Sequence, residues 1–206
     1  MVKWSDNTAL VMLSGYYGKS SIEIIEDHIF THGLEEIHKV LLGLHPTGLR
    51  LEEYLQSLPP QVLAESIDKP DWHGRSPLIY AVENGLSHAV QTLVAFGADV
   101  NRLRLWDTRM LTPLHLAFAG PPQDTTIHIA RILIENGANV DFRDSDGWTA
   151  LLVAASWDNY IGMAMLYGAG ADIAAQSYYA ESVETLSADP EILQKFWEVV
   201  FTHNPR

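Results

Sequence analysis

A chain of 206 residues and 23.0 kDa, 47% apolar and 19% charged, has the composition of a globular protein and a length that suits one ordinary domain. Its 26 acidic side chains outnumber 13 basic ones, a formal charge of −13 that disfavours nucleic acid and anionic membrane surfaces, both of which select cationic faces. With no cysteine, disulfide frameworks, thiolate metal sites and cysteine nucleophiles are excluded together.

No apolar run approaches the roughly 20 residues that span a bilayer. The start, Met1-Val2-Lys3-Trp4-Ser5-Asp6, leads only into a short apolar stretch at 9–13, too poor for a signal peptide, so a cytoplasmic protein is expected, with the nucleus also open. Gly15-Tyr16-Tyr17-Gly18-Lys19-Ser20 ends like a phosphate loop, yet Leu13 stands where that loop needs its first glycine. A helix is predicted over 21–31. It sets His28 and His32 four residues apart on one face, close to Asp27 and Glu23, and a metal-dependent enzyme or metal-binding protein with the rest of the chain as scaffold is the alternative reading. Ile29 occupies the position where zinc proteases carry their glutamate, and a solvated acidic helix explains the pair more simply. No cofactor is predicted. The next helices fall at 35–44 and 49–57, the second with Leu51, Tyr54, Leu55 and Leu58 along one stripe, followed by a proline-rich connection at 58–62.

From Asp71 onward the sequence repeats. One segment begins Asp71-Trp72-His73-Gly74-Arg75-Ser76-Pro77-Leu78 and ends Gly97-Ala98-Asp99-Val100-Asn101. A second begins Asp107-Thr108-Arg109-Met110-Leu111-Thr112-Pro113-Leu114-His115 and ends Gly137-Ala138-Asn139-Val140-Asp141. A third begins Asp144-Ser145-Asp146-Gly147-Trp148-Thr149-Ala150-Leu151 and ends Gly170-Ala171-Asp172-Ile173. Pro77 to Gly97 and Ala150 to Gly170 are both 20 residues; Pro113 to Gly137 is 24, with the surplus around Gly120-Pro121-Pro122. Three further residues enter around Leu105-Trp106, and without both insertions the period is 33 throughout. Each position has a physical reason. The hydroxyl before Pro caps a helix whose first residue has no amide to satisfy. Gly ends the second helix in the left-handed conformation. Asp-x-x-Gly makes a turn, and Met110 in place of Gly predicts a distorted one. Such a unit cannot bury its own apolar face, so neighbours must stack.

A 33-residue period carrying Thr-Pro-Leu-His-x-Ala and Gly-Ala-Asp-Val-Asn resembles the ankyrin repeat family. The resemblance implies an all-α fold, an ankyrin-repeat α-solenoid with short β-turn or hairpin fingers and degenerate helical caps. The corresponding division is an N-terminal helical cap or worn repeat at 1–34, a diverged repeat at 35–70 and repeats at 71–106, 107–143 and 144–176. A degenerate repeat or C-terminal helical cap follows at 177–206. Glu35-Glu36-Ile37-His38-Lys39-Val40 resembles a worn Thr-Pro-Leu-His-x-Ala, and this upstream arrangement is similar to the segment before ankyrin arrays in filamentous-fungal proteins. Helix length is expected to persist from 175 to 188, and Asp189-Pro190 opens a strong final helix. His115 holds the family's structural histidine position and is expected to be buried, bonded to Thr112 or to backbone.

The resemblance also implies a non-catalytic protein–protein interaction module, a scaffold or adaptor that is a monomer by itself and binds a protein or peptide on its concave helix face and finger tips. The family's variable contact positions fall on Trp72, His73, Arg75, Glu83, Asn84, Trp106, Thr108, Arg109, Leu111, Ser145, Asp146, Trp148 and Trp157. No catalytic residue is predicted. Trp72, Trp106, Trp148 and Trp157 are the expected anchors, since a buried indole removes a large apolar area and keeps one N–H donor. Trp106→Ala and Trp148→Ala are expected to abolish capture and leave unfolding nearly unchanged. Arg75, Arg102, Arg104, Arg109 and Arg143 on the finger side suggest an edge that reads an aromatic or acidic peptide.

Overall fold

The computed structural model describes residues 36–43, 50–105 and 108–203. The phosphate-loop-like segment, the His28/His32 pair, the predicted cap at 1–34 and Trp106 lie outside them. Helices come in pairs, apart from Pro60–Ser66. Glu36–Leu41 (α1) and Leu51–Ser57 (α2) precede Pro60–Ser66 (α3). Then come Pro77–Glu83 (α4) with Ser87–Ala95 (α5), Pro113–Phe118 (α6) with Asp124–Glu135 (α7), and Ala150–Ser156 (α8) with Tyr160–Gly168 (α9). Val183–Leu186 (α10) and Pro190–His203 (α11) close the series. First helices touch first helices (α1, α4, α6, α8, α10) and second helices touch second helices (α2, α5, α7, α9, α11), which gives a two-layer solenoid. No strand occurs among the described residues.

Helix starts are set where the hydroxyls predict. Ser76 Oγ accepts from the Ile79 amide at 3.2 Å, Thr112 Oγ1 from His115 at 3.4 Å and Thr149 Oγ1 from Leu152 at 3.4 Å. Each helix is short, so its stability comes from the face it buries: Leu78, Leu114 and Leu151 from the first layer and Leu93, Leu133 and Leu166 from the second are almost wholly enclosed. Full burial of one such leucine contributes about 1.5–3 kcal/mol.

Three fingers are each folded around one side-chain oxygen. Asp71 Oδ1 accepts from the amides of His73 and Arg75, both at 2.9 Å. Asp144 Oδ1 does the same for Asp146 at 2.9 Å and Trp148 at 2.8 Å. Ser177 Oγ stands in for the carboxylate at the last finger, accepting from Tyr179 at 3.1 Å and Glu181 at 3.2 Å. The fourth finger residue is left-handed in each: Gly74 at φ 75°, Gly147 at φ 80° and Ala180 at φ 59°. Met110 adopts φ 56° as well, so the expected distortion is absent at that residue and appears instead as backbone strain. At the finger with the three inserted residues, the Arg104 amide donates to Leu111 O at 2.9 Å.

Neighbouring repeats are fastened at three levels. The fingers are linked by Leu105 N–H to Gly74 O, Ser145 N–H to Arg109 O and Tyr178 N–H to Asp146 O, at 2.9–3.0 Å. A Cβ at Gly74 would lie 2.2 Å from Leu105 O, so only glycine permits that approach. Below the fingers, His115 Nε2 reaches Trp148 O at 3.0 Å while Nδ1 meets the Thr112 hydroxyl at 2.7 Å, which assigns Nε2 the proton. His38 Nε2 makes the same contact with Arg75 O at 3.0 Å, which gives the worn upstream motif the family's interlock. At the far end of the second helices, Asp68, Asn101 and Asp141 accept from the amides of Asp99, Asn139 and Asp172.

Three elements differ from expectation. The first helix stops at Leu41 because Gly43 turns left-handed at φ 69°. The 58–62 connection continues into α3, none of whose residues is fully buried, although Leu63 packs against the core. Residues 177–181 form a finger turn, which leaves only Val183–Leu186 of the predicted 175–188 helix.

Met110→Gly is expected to raise unfolding free energy by about 1 kcal/mol, read by urea denaturation, because glycine removes the left-handed strain. Burial lowers the His115 pKa from its ordinary 6.5, so the folded chain binds fewer protons there than the unfolded chain. The resulting stability is whole above pH 6.5 and is lost as pH falls toward the folded pKa. NMR titration of the His115 ring with a midpoint above 6.5 contradicts this sign.

Candidate partner-binding surface

The first helices and the fingers bound a groove of about 400 Å³. Its floor is Ala119, Val153 and Ser156, and its finger wall carries Arg109, Leu111, Asp146 and Trp148 together with Tyr179 and Glu181. Repeat geometry explains the gathering. Arg75, Leu111, Trp148 and Glu181 occupy the same finger position in successive repeats, one residue before the helix cap. His73, Arg109, Asp146 and Tyr179 occupy another, two residues earlier.

The predicted site residues divide by what they already do. Arg109, Leu111, Asp146 and Trp148 meet in the groove. Trp72 is 57% exposed at the first finger tip, with its ring against the His73 imidazole, whose pKa is lowered by burial and the nearby Arg75. Thr108 and Ser145 are exposed at their tips. Asn84 ends α4 with its side chain on Tyr80 O at 2.8 Å. Trp157 is 47% exposed at the end of α8 opposite the fingers and does not line the groove.

Two expectations are corrected. Trp148 is not a loose finger-tip ring: it packs partly buried against the core and its indole N–H donates to Glu181 Oε2 at 2.9 Å, so its removal costs stability. Four of the five guanidiniums are committed internally. Arg75 forks onto Asp71 Oδ2 at 2.9 and 2.7 Å, and Arg104 meets Glu83 at 2.8 Å. Arg109 meets Asp144 at 2.9 Å and Asp146 at 3.6 Å, while Arg143 donates to Gly147 O and Gln176 O. Burial raises the Asp71 pKa, but Arg75 and the finger amides outweigh it and hold the carboxyl below its usual range. Burial raises that of Glu83, against its two arginines. An acidic ligand would compete with carboxylates already seated on these arginines.

Tyr179 and Glu181 were missed because Ser177 and Ala180 replace the Asp and Gly that announce a finger. The recoverable signal was Ser182-Val183, 33 residues after Thr149-Ala150. Among the described residues no cluster of three or more His, Asp or Glu is placed to hold a metal, and no helix is long and apolar enough to cross a membrane.

Comparison with known families agrees with this geometry. The family model described as ankyrin repeats, three copies, matches residues 103–177, and the single ankyrin repeat model matches residues 73–104. The chain therefore belongs to the ankyrin repeat family, whose repeats generally mediate protein–protein interaction. A 74-residue stretch is 35% identical to potassium channel AKT1 of Oryza sativa subsp. indica and, equally, of subsp. japonica, covering 36% of this chain and 7% of each channel. A 120-residue stretch is 27% identical to transient receptor potential cation channel subfamily A member 1 of Homo sapiens, covering 58% of this chain and 10% of that protein. The likeness thus spans a tenth or less of these relatives.

Trp148→Ala is expected to lower unfolding free energy by about 2 kcal/mol, the cost of emptying a partly buried ring site. Trp72→Ala is expected to change it by no more than about 0.5 kcal/mol. Parallel urea melts check both.

Proposed function

We propose that this chain is a non-catalytic protein-interaction module that holds a segment of a partner protein along the groove between its fingers and first helices. The supporting observation is the groove itself, where Arg109, Leu111, Asp146 and Trp148 from two repeats converge beside Tyr179 of a third. A rigid stack presents these side chains in a fixed register, so little ordering cost falls on the receptor side. Repeats at 71–106, 107–143 and 144–176, flanked by a diverged repeat at 35–70 and a degenerate terminal one from 177, are the proposed division. The module acts as a monomeric cytoplasmic scaffold or adaptor for a protein or peptide, not for nucleic acid or a membrane. The metal-dependent alternative rests on His28 and His32, outside the described residues.

Affinity capture from source-cell lysate, read by mass spectrometry, tests the module against a Trp72→Ala/Tyr179→Ala variant. Both rings are more than half exposed, at 57% and 74%, so the variant is expected to fold as the wild type does. A protein held by the wild type and lost by the variant is the expected outcome; equal captures contradict the groove.

A further inference from the structure

The fingers are not chemically uniform along the stack, and the last one, which bounds the groove, has an unbalanced charge. Arg75, Leu111, Trp148 and Glu181 run along equivalent finger positions from a cation to an anion. At the first end Arg75 is neutralised by Asp71, and Glu83 lies between Arg75 at 3.7 Å and Arg104 at 2.8 Å. In the middle Arg109 serves Asp144 and Asp146. At the last end Glu181 has no cationic partner among the described residues, although its side chain is half-buried in the groove wall.

That carboxylate is also fixed in place. Trp148 Nε1 donates to Oε2 at 2.9 Å and Ser177 Oγ donates to the same oxygen at 2.8 Å. Both bonds end on Oε2, so Oε1 keeps its acceptor capacity among the described residues. Beside it stand the Trp148 ring and Tyr179, which is 74% exposed, while the floor beneath is apolar, with Val153 and Ala119. Two aromatic rings, an oriented carboxylate and an apolar floor match a long side chain with an apolar stem and a cationic head: the stem covers apolar surface, the head meets ring faces and the carboxylate. A carboxylate-bearing side chain would meet Glu181 and Asp146 instead, a like-charge juxtaposition.

Building on the groove reading, we propose that the end of the groove bounded by Trp148, Tyr179 and Glu181 receives a lysine or arginine side chain of the partner segment. The chain's charge of −13 adds long-range attraction for such a segment. Glu181 sets the register, and the bound cation supplies the counter-charge that the fold omits there.

The test is selection of random 16-residue peptides displayed on phage against the full chain, followed by binding of the enriched peptides to wild type, Glu181→Gln and Tyr179→Ala. Gln keeps an oxygen for the Trp148 indole while removing the charge, and thermal unfolding checks that each variant folds. Should Glu181→Gln not fold, Asp146→Asn and the salt dependence of binding to the wild type supply the charge readout. The expected result is enrichment of Lys or Arg at one position. Affinity should fall about tenfold in Glu181→Gln and in Tyr179→Ala and weaken with added salt. Enriched peptides that need Tyr179 but carry no fixed cation, or that bind Glu181→Gln as well as wild type, overturn the cation site and leave the groove reading standing. Absence of any peptide sensitive to a groove substitution overturns both.

Discussion

Helix pairs of four to fourteen residues per helix have no interior of their own, and every other property of this molecule follows from the need to share one. The sharing is enforced by polar contacts that cross between repeats at fixed heights. Histidines 38 and 115 reach the carbonyl of the next finger, and Asp68, Asn101 and Asp141 reach the amide of the next loop. The histidine contacts satisfy the finger carbonyls they reach, and the more exposed Asp and Asn contacts satisfy loop amides, so the apolar faces between them can close in one register. Register, and hence which finger residues stand side by side, is a consequence.

Function inherits that register. Because equivalent positions stack, one column of the sequence becomes one row along the fingers, part of which lines the groove, and the chemistry of that row can be changed residue by residue without changing the fold. Arg75, Leu111, Trp148 and Glu181 are such a row, with a charge gradient along it. The same economy explains why the arginines of the first and second fingers are already engaged: Asp71 and Asp144 are needed as turn acceptors, and their second oxygens are therefore available to Arg75 within the same finger and to Arg109 from the preceding one. What sequence alone presents as a basic edge is largely a set of internal ion pairs.

The fold was legible to the extent that its residues obey the repeat's local rules. Hydroxyl caps, terminal glycines and the 33-residue spacing place three helix pairs, and the family resemblance adds that His115 is buried against Thr112. The last finger was illegible because physically equivalent groups were chemically different: Ser177 Oγ does the work of an aspartate oxygen, and Ala180 accepts a left-handed turn at φ 59°. Helix α3 was hidden for the opposite reason, since it sets only Leu63, partly buried, against the core and so leaves no apolar period to read. For the site, residue positions were legible and commitments were not. Spacing located Trp148 on the finger wall, but only three-dimensional proximity reveals that Glu181, 33 residues on, holds its indole.

The indole proton of Trp148 lies where the fold and the proposed site meet, and it gives the most direct measurement. In a ¹⁵N–¹H NMR titration with the tightest displayed peptide, the account expects that signal and the backbone amides of Asp146, Tyr179 and Glu181 to shift together with saturation. Shifts confined to the second helices α5, α7 and α9, with the Trp148 indole unmoved, would place the partner on the opposite face and contradict the account.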